Sequence, residues 1–112
     1  MTLEDFLRKL ENSGKFVPIN YDSVDDFLNT ENDFSYLIIR PDKNDDFQFV
    51  VTKMNSEYEI KAVINNEDAD EMNYKVTVKN EQQLQAFLNM TINSLKQFGL
   101  YKKYAKSLEE MC

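Results

Sequence analysis

Apolar residues recur along this chain at two periods, and the change of period marks the elements. Leu3, Phe6, Leu7 and Leu10 follow the i, i+3, i+4, i+7 spacing of one helix face. With Thr2 placed as an N-cap and Gly14 as a terminator, this spacing predicts an amphipathic helix over about residues 3 to 12. Phe16-Val17-Pro18-Ile19 reads as a short extended segment, since Pro18 lacks a ladder donor and biases Val17 away from helical backbone. Ser23, with Asp26 three positions on, resembles a capping box. It predicts a short helix that buries Val24, Phe27 and Leu28 and ends near Thr30.

From Tyr36 the period falls to two. Tyr36-Leu37-Ile38-Ile39-Arg40 is a strand ended by Pro41, the polar residues 42 to 46 make a turn, and residues 47 to 53 form a second strand. In a third, Glu57 to Ile64, residues Tyr58, Ile60, Ala62 and Ile64 alternate with Glu59, Lys61 and Val63. Residues 65 to 73 read as an acidic loop, and Tyr74, Val76 and Val78 alternate with Lys75, Thr77 and Lys79 in a fourth strand. Such alternation predicts a half-solvated antiparallel meander. Helical spacing then returns in Leu84, Phe87, Leu88, Thr91, Leu95 and Phe98, with Asn80 as cap, Gln83 at the capping-box position and Gly99 as stop. Tyr101, Tyr104, Ala105, Leu108 and Met111 repeat the spacing in a last helix that also carries Lys102, Lys103 and Lys106. The expected fold is α+β: a four-stranded antiparallel meander with N-terminal helices and two C-terminal helices packed mainly on one face. A length of 112 residues without a linker-like stretch points to a single domain over residues 1–112.

Composition excludes more than it identifies. Eight Phe and six Tyr can fill one core without a disulfide staple, and the lone Cys112 has no partner in the chain. Tyr36, Tyr58 and Tyr74 are expected to pack half-buried on strands. Tyr101 and Tyr104 could stack on bases beside the lysines, but their place in an apolar stripe favours the core. Histidine is absent, which removes the commonest general base and metal ligand. One cysteine leaves no zinc site, nucleophile pair or redox pair, and two isolated glycines cannot build a phosphate-cradling loop. The run Asp42-x-Asn44-x-Asp46 imitates the start of an EF-hand, yet Phe47 stands where glycine is required and Lys53 where a bidentate glutamate is required. The chain is therefore read as having no catalytic residues, metal site or cofactor. Residues 1 to 10 carry four charged groups, unlike a signal peptide, and no run approaches the ~18 apolar residues of a membrane span. A cytoplasmic protein is expected, and the wealth of Asn, Asp and Lys suggests a low-GC bacterial host or phage.

Charge is distributed unevenly. Residues 20 to 74 hold fourteen carboxylates against four bases, net −10, whereas residues 75 to 112 are net +3. The negative groups lie mainly in three clusters: one over residues 22 to 33, one at Asp42, Asp45 and Asp46, and one at Glu67, Asp68, Asp70 and Glu71. In a meander, the turns after the first and third strands emerge at the same end. The last two clusters should therefore share one acidic rim, able to meet a basic protein groove where a nucleic acid would present phosphates.

At this point the segments Tyr36-Leu37-Ile38-Ile39-Arg40 and Phe47-Gln48-Phe49-Val50-Val51, joined by a polar turn and followed later by an amphipathic helix, bear on family. Their order resembles that of small acidic type II anti-CRISPR proteins of phage, which occupy the DNA-recognition groove of an RNA-guided nuclease as nucleic-acid mimics. The resemblance implies that Asp42, Asp45, Asp46, Glu67, Asp68, Asp70 and Glu71 face basic residues of a nucleic-acid-binding effector, with no direct nucleic-acid or membrane contact. The long 65 to 73 segment, the additional strand and the lysine-bearing last helix depart from that pattern. A toxin-neutralising immunity protein and a self-associating assembly module remain alternatives from the residues alone.

Overall fold

The chain begins with a helix whose ends are written in its sequence. In α1 (Leu3–Asn12) the Thr2 hydroxyl accepts from the Asp5 N–H at 3.1 Å, and Gly14, at φ +74°, turns the chain out of the helix. The computed structural model describes residues 1–44, 46–66, 69–97 and 102–111, and of residues 65, 66 and 69–73 it describes the backbone alone. Next come β1 (Phe16–Pro18), α2 (Val24–Leu28), β2 (Phe34–Pro41), β3 (Phe47–Met54), β4 (Glu57–Asn66), β5 (Ala69–Val78), α3 (Glu81–Gln97) and α4 (Lys102–Met111). Ser23 caps α2 through the Asp26 N–H, and Asn80 caps α3 through the Gln83 N–H, both as the sequence predicts. Phe98, Gly99 and Tyr101 lie outside the described residues.

The sheet has five antiparallel strands in the order β1-β2-β3-β4-β5, where the sequence predicts four. The fifth is the extended segment around Pro18, which joins β2 with Pro18 opposite Ile39. A proline is tolerated there for a geometric reason. The Ile19 N–H donates to the Ile38 carbonyl and the Asp42 N–H to the Lys15 carbonyl, so the alternation leaves Pro18 in a pair that exchanges no hydrogen bonds. Asn20 then closes the strand, donating to the Tyr36 carbonyl at 2.7 Å and accepting from the Ile38 N–H at 2.9 Å. A second difference concerns residues 65 to 73. They are mostly strand: β4 pairs with β5 out to Asn66 opposite Ala69, with a register shift between Ile64 and Asn66, and only positions 67 and 68 lie between the strands.

One hydrophobic cluster unites the buried residues of the helices with alternate residues of the strands, among them Leu37, Ile39, Phe49, Val51, Ile60 and Ala62. Phe49 is its aromatic hub, with ring centroids 5.0 Å from Phe47, 5.6 Å from Phe6 and 6.1 Å from Phe87. The residues of opposite parity are treated differently. Phe34, Tyr36 and Met54 remain 58%, 45% and 55% exposed, so Tyr36 is on the solvated side of its strand and not half-buried as the sequence suggests. Tyr58 and Tyr74, on the core parity, are half-buried as expected.

Candidate functional site

The β2–β3 turn is built from its side chains. Asn44 is the organiser: its Oδ1 accepts from the Asp46 N–H at 2.8 Å, and its Nδ2 donates to the Tyr104 hydroxyl at 2.6 Å. The first bond is the local closure that Asn makes in turns, and the second fastens the turn to α4, sixty positions away in sequence. Lys43 takes the left-handed conformation at φ 64° that the turn requires. Asn44 is thereby committed to structure, and groups able to hold a metal ion are not found among the described residues.

The predicted acidic residues divide three ways. Asp42 and Asp46 are exposed at this turn. Asp70 and Glu71 lie on β5 instead of in a loop. Asp45, Glu67 and Asp68 lie outside the described residues. The register puts Phe47 level with Ile64, and Ile64 level with Met72, so Asp70 and Glu71 continue beyond the end of β3 on the side from which residues 42 to 46 emerge. With strands about 4.8 Å apart, the two backbone segments lie roughly 10–15 Å from one another, between one and two Debye lengths of ~8 Å at physiological salt.

The acids of residues 22 to 33 lie elsewhere. Lys53 Nζ binds the carbonyls of Thr30 (2.8 Å) and Leu28 (3.5 Å), and the Phe27 ring lies 6.4 Å from Tyr58. Because Lys53 and Tyr58 are opposite one another near the β3–β4 hairpin, this cluster belongs to the other end of the sheet. The negative stretch of the sequence is thus split between two poles.

Sequence reasoning missed what Asp42 faces. A cleft of about 430 Å³ lies between the β2–β3 turn and α4, and Asp42 lines it together with Lys15, Lys103 and Lys106. No described ion pair involves Asp42 or Asp46, but the lysines offset part of the Asp42 field. The i, i+3 spacing of Lys103 and Lys106 places both on one side of α4, and that much is legible in the sequence. That the side turns toward Asp42 is not.

A smaller cavity of about 200 Å³ opens where the capped starts of α1 and α3 approach β4, lined by Thr2, Glu4, Tyr58, Asn80 and Glu81. The N-terminal ammonium bonds Glu81 at 2.9 Å. Burial, and secondarily the Glu4 carboxylate, raises the Tyr58 pKa above its ordinary value, because both disfavour the phenolate. Among the described residues, no helix is long and apolar enough to cross a membrane. No family model matches the chain, and neither a curated protein nor a solved structure matches it significantly.

Proposed function

We propose that the protein is an acidic, non-catalytic inhibitor that binds a basic surface of a nucleic-acid-binding protein, in the manner of anti-CRISPR and other anti-defence proteins of phage. The observation that carries this reading is the common end of the sheet from which the Asp42–Asp46 turn and the start of β5 both project. Acidic positions from two hairpins share that end of the sheet. Charges so placed accelerate encounter with a basic groove and select for it, and salt weakens the association. Asp46, exposed and outside the lysine-lined cleft, contributes undiluted charge, whereas Asp42 contributes less.

The test is cleavage of target DNA by a guide-loaded type II RNA-guided nuclease with the protein in excess. The expected result is inhibition that weakens between 50 and 300 mM salt, on the order of the change seen for electrostatic partners. Changing Asp42, Asp45, Asp46, Glu67, Asp68, Asp70 and Glu71 to their amides should abolish it without lowering the urea midpoint. Undiminished inhibition by that variant rules out the acidic end as the binding surface, and no inhibition by the native protein rules out this effector class. A second reading, a module that docks through its sheet, rests on the exposed Phe34, Tyr36 and Met54. Sedimentation over a hundredfold concentration range distinguishes it, because a constant monomer mass excludes self-association.

A further inference from the structure

We infer that the cleft between the β2–β3 turn and α4 binds a small anion with a flat apolar body, an aromatic phosphate or carboxylate, through Lys15, Lys103 and Lys106 set around the Tyr104 ring and Pro41. The proposal is independent of the inhibitor reading.

Its first support is charge in an unexpected place. Three lysines line one concavity in a protein of net charge −7. Asp42 and Glu110 line the same cleft, yet no ion pair within 4.0 Å joins them to these lysines. Counting Asp42 and Glu110, the lining keeps a net charge of +1, and an anion seated among the lysines neutralises that excess. The other cavities among the described residues lack this feature. The one at the helix starts has Lys79 beside Glu4 and Glu81, and the one near the β3–β4 hairpin has Lys53, which already donates to two carbonyls.

The second support is shape and rigidity. The volume, about 430 Å³, falls within the ~300–1,000 Å³ of small-molecule sites. Pro41 and Tyr104 supply the apolar part of the wall, and Lys103 Nζ stands 5.0 Å from the Tyr104 ring centroid, bringing a cation and a π face together. Lys15 reaches Ser107 Oγ at 3.5 Å from the opposite side. The frame is prebuilt: the Asp42 N–H donates to the Lys15 carbonyl at 3.0 Å, and Asn44 donates to the Tyr104 hydroxyl. The ordering that remains to oppose binding is that of the lysine side chains.

The experiment is an amide chemical-shift titration at constant ionic strength with three probes: phenyl phosphate, inorganic phosphate and phenol. Phenyl phosphate is expected to move the Lys15, Asp42 and Ser107 resonances in a saturable manner, with the other two probes weaker. The double change Lys103→Gln, Lys106→Gln should weaken phenyl phosphate by about tenfold, the loss of charge-assisted hydrogen bonds. Changing Lys75 and Lys79 to Gln should leave it unaltered, and Asp42→Asn should tighten it. That last variant separates the two proposals, because it weakens an electrostatic partner. Unmoved cleft resonances, or equal losses from both lysine pairs, overturn the site.

Discussion

At the scale of single residues, polar side chains decide how elements meet. Glu11, at the end of α1, accepts from the Val24 N–H at 2.9 Å and so satisfies an orphan donor at the start of α2. Arg8 bonds Asp25 at 3.0 Å across the same junction, but both partners are exposed and the pair adds little stability. Tyr58 makes a sharper prediction. Its raised pKa means that the folded state holds the phenolic proton more tightly than the unfolded chain. The corresponding stability is present below the ordinary tyrosine value of about 10 and is lost as pH rises through the folded value. Urea midpoints measured from pH 8 to 11 should fall less steeply for Tyr58→Phe than for the native protein, and identical slopes would remove Tyr58 from the alkaline transition.

At the scale of elements, local signals set where helices start and stop. Thr2, Ser23 and Asn80 accept the backbone donors that their positions predict. Gly14 ends α1 at φ +74°, and a Cβ added there would meet nothing within 4 Å, so the cost of a side chain is conformational, not steric. Gly14→Ala should destabilise by about 1 kcal/mol in urea unfolding, and Gly14→Asn by less, since Asn tolerates left-handed backbone. Equal stability of all three would show that the turn relaxes elsewhere. The β3–β4 hairpin has the same logic: Asn55 (φ 51°) and Ser56 (φ 69°) form a two-residue turn with both central residues left-handed, which matches strand twist. Strand membership was less legible. Pro18 argued against a ladder, and the acids of residues 67 to 71 argued for a loop. Register overrode both, because a proline in a pair without hydrogen bonds loses nothing and β5 continues outward on its pairing with β4.

At the scale of the molecule, charge and burial pull on different variables. The four described ion pairs are Met1–Glu81, Arg8–Asp25, Lys75–Glu59 and Lys96–Glu109, and each has a partner at least 40% exposed. Such pairs do little to offset a segment of net charge −10. Raising NaCl from about 10 mM to 200 mM shortens the Debye length from ~30 Å to under 10 Å and screens this self-repulsion. The urea midpoint should therefore rise with salt, while association with a basic partner weakens. A midpoint that falls with salt would mean that attractive pairs outweigh repulsion.

The helices and their caps, the core parity of β4 and β5 and the uneven charge were determined by the sequence itself, because periodicity and capping are local and charge is a property of composition. Tertiary structure alone decided that a proline-bearing segment would close the sheet, that the acids would separate to two ends, and that Asp42 would face three lysines from α4 and the α1–β1 connection. Those outcomes depend on pairing register and helix orientation, which bring together residues as distant as Asn44 and Tyr104, and no local pattern encodes such a meeting.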